Sequence, residues 1–523
     1  MDNPLEIALN EEFDWRNLLE NMKRHFKFRT TQPITEKITF IDTFDWRFYN
    51  RDLTFMRHGN NYRLAELDSE NTVAEFTWKR KRAFRFWKDL ADPHLQEKLR
   101  KIQDVRAAVP IVEVKTTSKC CEILNIDDKI VMRLHHENGS VLRKNLPPEK
   151  LTPVLKLLPV RGYHAEYREI CATLLVANLP LPEISKPLLI KALTAVNIAP
   201  GKYSAKIKTG IEPQTDARKA AVMLCRDMLA VMRSNEQGIV DDIDIEFLHD
   251  FRVTVRRTRA LLAQLRGVFP KIETDKFKTS FATIGRATNQ LRDCDVLLEN
   301  RDRYLEMLPE ELRDGLKNFF SNIIATRRKE YINVTGFIKS EQYNSAVKSW
   351  ENFLAKAATM AESKNSGIQA VELAGKLIIK RFRQVIKDGR SITDETPDAE
   401  LHALRIDCKK LRYLMEFFAP LYPDKLNSPI ARMKNLQTRL GDFNDYSVQI
   451  LTLQAKIARF NPKAKESMNT AAALGGLITM LAGEKDVQRH MFKTSFAEFS
   501  DTDNITYFED TFGKNKKSGK EST

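Results

Sequence analysis

Apolar and polar positions follow two different rhythms along the chain. Through residues 1–175 they come as short β-rich runs, at 37–44, 73–82, 109–117, 129–136 and 139–144. Turn formers such as Gly59-Asn60-Asn61 and Asn138-Gly139 separate these runs, and the pattern predicts an antiparallel sheet or barrel with one or two helices. From about residue 216 the strand signal disappears. Apolar residues then recur at three and four positions, as in 217–234 and 316–334, which predicts helix throughout. Between the two rhythms, residues 178–215 are Pro-rich and mark a boundary. The expected organisation is a β domain over 1–178, a linker at 179–204, a helical domain at 205–505 and a basic disordered tail at 506–523.

A length of 523 residues with 42% hydrophobic and 30% charged positions is that of a soluble multidomain protein, and no run approaches the ~20 apolar residues of a membrane helix. Lys and Arg number 85 against 70 acids, a formal +15, so the surface favours anionic partners. The six cysteines contain no C-x-x-C pair, which argues for reduced thiols and against zinc or disulfide scaffolds. The first residues, MDNPLEIALNEEFDW, have neither the basic start nor the apolar core of a secretory signal, so a cytoplasmic location is expected.

The helical part carries a repeat. Residues 248–259 and 401–412 both read His-x-x-Arg-x-x-x-(Arg/Lys)-(Arg/Lys)-x-Arg. At ~100° per residue the first, fourth, eighth and eleventh positions of that pattern span an arc of about 80°. His249, Arg252, Arg256 and Arg259 thus form one stripe and His402, Arg405, Lys409 and Arg412 its twin, with Arg257 and Lys410 extending the charge. Leu248, Phe251, Val255 and Leu262 adjoin the first stripe, and Leu401, Leu404 and Met415 the second, so each stripe borders a buried face. Positive charges gathered beside a core repel one another and call for a compensating anion. An acidic phrase follows each copy, 290–296 and 439–445, with carboxylates suited to holding the guanidinium groups. Basic positions also precede each copy, Lys380, Arg381 and Arg383 before the second and Arg218-Lys219 before the first.

These motifs resemble the CHAD family over roughly residues 205–505. The resemblance implies a pseudo-two-fold bundle of two four-helix halves with a basic pocket for inorganic polyphosphate. Carried over by position, its ligands are His249, Arg252, Arg256, Arg257, Arg259, Lys380, Arg383, His402, Arg405, Lys409, Lys410 and Arg412.

In the β part, residues 39–45, 53–57, 77–79 and 161–166 resemble the CYTH signature, a triphosphate tunnel within a closed antiparallel barrel. The resemblance makes 161–166 the closing strand and assigns Arg57, Lys79 and Lys119 to phosphate, with Lys79 directed into the lumen. Catalysis in that family depends on a Glu-x-Glu-x-Lys strand, whose alternate residues share one face. Here the strand reads Glu6-Ile7-Ala8-Leu9-Asn10, and only the first acid remains. Losing a carboxylate weakens Mg²⁺ binding, so no metal, cofactor or catalytic residue is assigned; a divalent ion would be needed only by an active barrel. His135-His136-Glu137 is no chelate either, because neighbours on a strand face opposite ways; a strand end and hairpin turn is the expectation there. No Gly-rich phosphate loop and no G-x-S-x-G elbow occurs. The leading function is polyphosphate binding, with polyphosphate granules as a setting. The alternatives are an active triphosphatase or polyphosphatase of the CYTH type and a nucleic-acid binder, the latter disfavoured because the basic helices interleave aliphatic residues rather than stacking aromatics.

Overall fold

The computed structural model describes residues 5–10, 13–176, 186–205, 210–357, 359–360, 362–461 and 463–513. Two compact units divide the chain, Met1–Ser204 and Ala205–Thr523.

The first unit is built on strands β1 (Leu5–Ala8), β2 (Lys27–Thr30), β3 (Ile34–Asp42), β4 (Leu53–His58), β5 (Asn61–Glu66), β6 (Thr72–Thr77), β7 (Val109–Leu124), β8 (Ile130–Leu142), β9 (Glu149–Lys150) and β10 (Val154–Pro159). All neighbours are antiparallel, in the order β1-β10-β8-β7-β3-β4-β5-β6, with β2 added to β7 and β9 to β8. This is the antiparallel domain expected from a CYTH-like pattern, but its sheet is open: no ladder joins β1 to β6 among the described residues. The run at 73–82 leaves the strand at Thr77. Trp78 Nε1 then donates to the Arg82 carbonyl and Arg80 and Arg82 pair with Asp89, so that edge ends in a cationic turn rather than in another strand.

Helices cover both faces of the sheet. Helices α1 (Trp15–Met22) and α3 (His164–Val176) pack Trp15, Leu18, Tyr167, Ile170 and Leu174 against Ile7, Ile123, Met132, Leu134 and Leu155. Helix α2 (Pro93–Gln103) starts on the Asp92 cap and adds Leu99 and Ile102 to the aromatic cluster of Phe48, Phe55, Tyr62 and Phe84. Helix α4 (Leu188–Ala195) lies within the stretch expected to be linker, yet buries Leu189, Ala192 and Leu193 against Ile38, Phe40, Met56 and Val114. Residues 177–185 lie outside the described residues.

Two local expectations fail. Asn138-Gly139 is no turn: β8 runs through it, and the hairpin turn falls at 125–129, where Asn125 Oδ1 accepts from Asp127 N and Lys129 N. Residues 161–166 do not close the sheet; they turn into α3, which begins at His164.

The second unit is helical: α5 (Ala217–Val240), α6 (Ile245–Gln264), α7 (Lys271–Ala287), α8 (Asn289–Glu299), α9 (Arg301–Met307), α10 (Glu310–Lys339), α11 (Glu341–Ala357), α12 (Ala370–Arg390), α13 (Asp398–Phe418), α14 (Asn427–Ile457), α15 (Lys465–Phe499) and α16 (Thr502–Phe508). Its pseudo-two-fold relation is visible where α5 and α12 begin. Asp216 and Gln369 form an antiparallel bridge, Ala217 N donates to Ile368 O (2.8 Å) and Ala370 N to Thr215 O (2.7 Å). The same sequence offset relates Asp216 to Gln369, His249 to His402, and the starts of α5 and α6 to those of α12 and α13. The halves are unequal: long α14 in the second corresponds, by the same offset, to α7 and α8 in the first, which are separated at Thr288. The described part of the expected tail, residues 506–513, is helical. Phe508 stacks on Phe382 with centroids 3.8 Å apart and Phe512 packs on Tyr422, while residues 514–523 lie outside the described residues. No described helix is long and apolar enough to cross a membrane, and all six cysteines are free thiols.

Candidate functional site

Helix α6 starts on Asp244, whose Oδ1 accepts from Glu246 N (3.0 Å) and Phe247 N (3.3 Å). Helix α13 carries Asp398 and Glu400 in its first turn, on the favourable side of the helix dipole. The apolar neighbours of both stripes are buried as their spacing requires, Leu248, Phe251, Val255 and Leu262 on α6 and Leu401, Leu404 and Met415 on α13. That packing leaves the cations only the rim of the core.

The two stripes come together. Arg256 Nε donates to Tyr413 Oη (2.9 Å), and Arg257 Nη2 donates to Glu416 Oε2 (3.0 Å). Arg412 Nη1 lies 3.4 Å from Glu416 Oε1, and the Arg257 and Arg412 guanidinium carbons sit 5.9 and 5.6 Å from the Tyr413 ring centroid. Electrostatics report the crowding. Lys409 is pushed down to about 8, first by burial and then by Arg405, Arg256 and Arg412, with Asp445 opposing. Burial also lowers Arg252 and Arg405.

The acidic phrases support the stripes in part. Asp445 Oδ1 accepts from Arg405 Nη2 (3.1 Å), and His402 Nδ1 lies within hydrogen-bond distance of Asn444 Oδ1. In the first copy Arg252 Nη1 donates to Thr288 Oγ1 (2.7 Å) and Gly285 O (3.0 Å), at the break between α7 and α8, with the Asp293 charge acting on it. Asp295, expected to serve the stripe, instead accepts from Arg327 Nε (2.7 Å) on α10.

Several assigned cations are committed elsewhere. Lys410 and Arg381 both bind Asp407 (2.7 and 3.0 Å), and Arg383 is held in a fork by Glu509. Arg383 and Lys380 line a separate pocket with Lys376 and Lys387, on the exposed side of α12 away from buried Phe382. Arg218 is buried and donates to Val268 O, Met360 O and Ser363 Oγ, a structural role. Conversely, α7 supplies Arg286 and Lys278, which the repeat did not reveal. With Arg252, Arg256 and Arg259 they line adjoining grooves of about 180 and 640 Å³ between α6 and α7. His249 is half-buried and His402 exposed on their stripes.

In the first unit a cavity of about 960 Å³ lies over the sheet. Thr54, Met56 and His58 of β4 and Thr116 and Ser118 of β7 face it, so Arg57 and Lys119 fall on the opposite parity and face away. Arg57 donates to Thr39 Oγ1 (3.2 Å), and Lys119 sits opposite His136 in the ladder. Lys79 lies past the end of β6, exposed and outside the cavity lining. The expected phosphate ligands are therefore not assembled.

Two of the cavity's cations are already paired with its carboxylates. Lys191 of α4 pairs with Glu6, and Lys156 Nζ with Glu137 Oε2 (2.9 Å). His135 and Glu137 share the cavity face while His136 stacks on Trp15, as strand parity requires, although mid-strand rather than at a strand end. The residues present do not fit a divalent metal. Glu6 is taken by an ammonium, Ala8 and Asn10 stand where further ligands are needed, and among the described residues no group of three His, Cys, Asp or Glu side chains is arranged to hold an ion.

The second unit is thus a duplicated helical bundle whose two related helices bring basic stripes face to face. A model of the CHAD domain matches residues 224–454, so the chain carries a CHAD domain. Two curated Mycobacterium tuberculosis proteins, the uncharacterized proteins MT2285 (strain CDC 1551 / Oshkosh) and Rv2226 (strain ATCC 25618 / H37Rv), are each 24% identical over 204 residues. That match covers 38% of this chain and 38% of each relative, so the chain spans well under half of their length. Among solved structures, the CHAD domain from the plant Ricinus communis aligns with a TM-score of 0.47 at 19% identity, covering 56% of this chain and 97% of that one. PptA from Streptomyces chartreusis aligns with a TM-score of 0.43 at 14% identity, covering 54% and 99%.

Proposed function

We propose that the helical unit binds inorganic polyphosphate, or a closely similar phosphate-rich polyanion, in the cleft where α6 and α13 meet. The observation that carries this reading is the group Arg256, Arg405, Lys409 and Arg412, in which burial and three nearby guanidinium groups hold the Lys409 ammonium well below the ordinary lysine range, with Asp445 as the carboxylate opposing them. Such a group costs free energy when the cleft is empty, and a chain of phosphates relieves it. The association of CHAD domains with polyphosphate supports the same choice of ligand. A granule-associated cytoplasmic role follows as the cellular setting, checked by whether a fluorescent fusion co-localises with polyphosphate.

The decisive measurement is polyphosphate affinity at several salt concentrations for wild type and Arg252→Ala/Arg405→Ala. Each lost phosphate contact should flatten the slope of log affinity against log salt by about 0.7, hence about 1.4 for the pair. Removing Arg252 also removes its bonds to Thr288 and Gly285, so a stability loss of about 1–2 kcal/mol accompanies the change without unfolding the bundle. Equal affinities and equal slopes would refute the assignment. Competition with duplex DNA separates the alternative: a nucleic-acid binder would prefer DNA at matched phosphate concentration.

For the first unit we propose a fold without triphosphatase activity, because Glu6 is ion-paired and its partner acids are missing. Robust hydrolysis of inorganic triphosphate with Mg²⁺ or Mn²⁺ would overturn this.

A further inference from the structure

Just past the repeat, the two helices differ at two equivalent positions. Eleven and fourteen residues past His402 stand Tyr413 and Glu416; eleven and fourteen past His249 stand Ala260 and Ala263. The alanines line the larger of the two open grooves between α6 and α7, beside Arg256 and Arg259. On the other copy, Glu416 bridges the two basic helices, with one carboxylate oxygen on Arg257 and the other near Arg412. Arg257 Nη1 donates to the Ala205 carbonyl (2.9 Å), and Arg257 Nε and Arg412 Nε are buried without a hydrogen-bond partner, so the carboxylate leaves donors of both guanidinium groups unmet. A phosphate offers more oxygens and more charge to the same donors. All three side chains remain reachable from solvent, at 16% exposure for Arg257, 22% for Glu416 and 24% for Arg412.

We propose that Glu416 is a built-in competitor of the polyanion: its carboxylate occupies, between Arg257 and Arg412, a place that a phosphate takes when the ligand binds. This inference rests on the polyphosphate reading and adds its regulation. Glu416 weakens binding and lowers the number of phosphates neutralised, and it directs the chain toward the alanine-lined groove, where α7 contributes Arg286 and Lys278. Asp275, the carboxylate of that groove, is already engaged by Lys271 (2.7 Å) and Lys278 (3.3 Å).

The test is polyphosphate of defined chain length titrated into the full chain over a range of salt concentrations. Glu416→Gln keeps the shape and removes the charge. It should bind about three- to tenfold more tightly near ~0.1 M salt, with a slope steeper by about 0.7 to 1.4 as Arg257 and Arg412 become available. Ala263→Glu, at an exposed position, places a carboxylate in the open groove and should weaken binding several-fold with a shallower slope. Far-UV circular dichroism confirms that both variants are folded, and the exposed Ala263 site keeps the test valid should Glu416→Gln prove unstable. If the wild type fails to bind polyphosphate, the underlying functional reading falls. If the wild type binds while Glu416→Gln binds no tighter and with the same slope, or Ala263→Glu binds as tightly as wild type, Glu416 is a structural clamp and the competitor proposal alone falls.

Discussion

Lys409 offers a quantitative check on the cleft because its proton is coupled to its neighbours. An ordinary lysine titrates at 10.5, but here burial, then Arg405, Arg256 and Arg412, bring it to about 8, with Asp445 of α14 the opposing charge. In the free protein the ammonium therefore loses its proton as pH rises through about 8. A bound polyanion screens the repulsion and restores the charged form, so binding takes up a proton above that pH, and affinity falls between pH 7 and pH 9. Complete recovery to the ordinary value gives about a tenfold loss over that interval, and half recovery several-fold. Below pH 7 Lys409 is charged in both states and contributes no pH dependence. The unliganded domain should behave in the opposite sense: the unfolded chain holds more protons between about 8 and 10.5, so stability rises with pH across that window. Calorimetry at pH 8.5 in two buffers of different ionisation enthalpy should report uptake of roughly 0.7 proton if recovery is complete. Lys409→Met should bind more weakly at pH 7 and lose the dependence between pH 7 and pH 9, which also controls for titration of the ligand. A wild-type affinity that is flat over this range, or a Lys409→Met variant that keeps the decline, refutes the reasoning.

Two further outcomes test the scaffold. Lys191→Met leaves the Glu6 carboxylate, 19% exposed, without its ammonium and should destabilise the first unit by about 1–3 kcal/mol; adding Glu6→Gln should recover most of the loss. Tryptophan fluorescence reads this directly, since Trp15, Trp46, Trp78 and Trp87 lie in that unit and Trp350 in the other. In the helical unit Gly315→Ala sets a methyl against the Asn469 backbone carbonyl and within 3.0 Å of the Ala473 methyl, where no rotamer change relieves the clash. Forcing α10 from α15 should cost about 2–4 kcal/mol, measured as a lower urea midpoint of the helical signal.

How far the sequence carries depends on which periodicity does the work. A helix fixes its faces by itself: once Leu248, Phe251 and Val255 are buried, Arg252, Arg256 and Arg259 have to stand at the rim, and the duplicated stripes were legible for that reason. A strand fixes only parity. Which parity is the lumen depends on the rest of the sheet, and here helices bury both faces, α1 and α3 on one side and α4 on the other, so the alternation of polar and apolar residues no longer points inward. Arg57 and Lys119, which the resemblance assigns to phosphate, fall on the parity opposite the cavity, and Lys79 lies past the end of β6. Asn138-Gly139 misled for a related reason. A dipeptide suited to a tight turn stays extended because Leu151 packs over Gly139, where an added Cβ would lie 3.0 Å from its Cδ1, a contact set by residues beyond the local window.

The grooves between α6 and α7 raise a different problem. Arg286 and Lys278 belong to a separate helix and carry no repeat, so only tertiary packing brings them to Arg252 and Arg259. Tyr413 and Glu416, by contrast, lie one and four residues past the duplicated segment, at the positions Ala260 and Ala263 hold after the first copy. In a duplicated binding element, positions where the copies agree identify the charge that attracts the ligand. Positions where they differ identify how one symmetric cleft becomes a one-sided track, because a two-fold scaffold with identical walls presents both grooves equally. Here the difference puts a carboxylate and an aromatic ring of α13 against α6, and two alanines of α6 in the groove beside α7. On the proposed function, direction along the basic surface is therefore a property of these four side chains rather than of the fold.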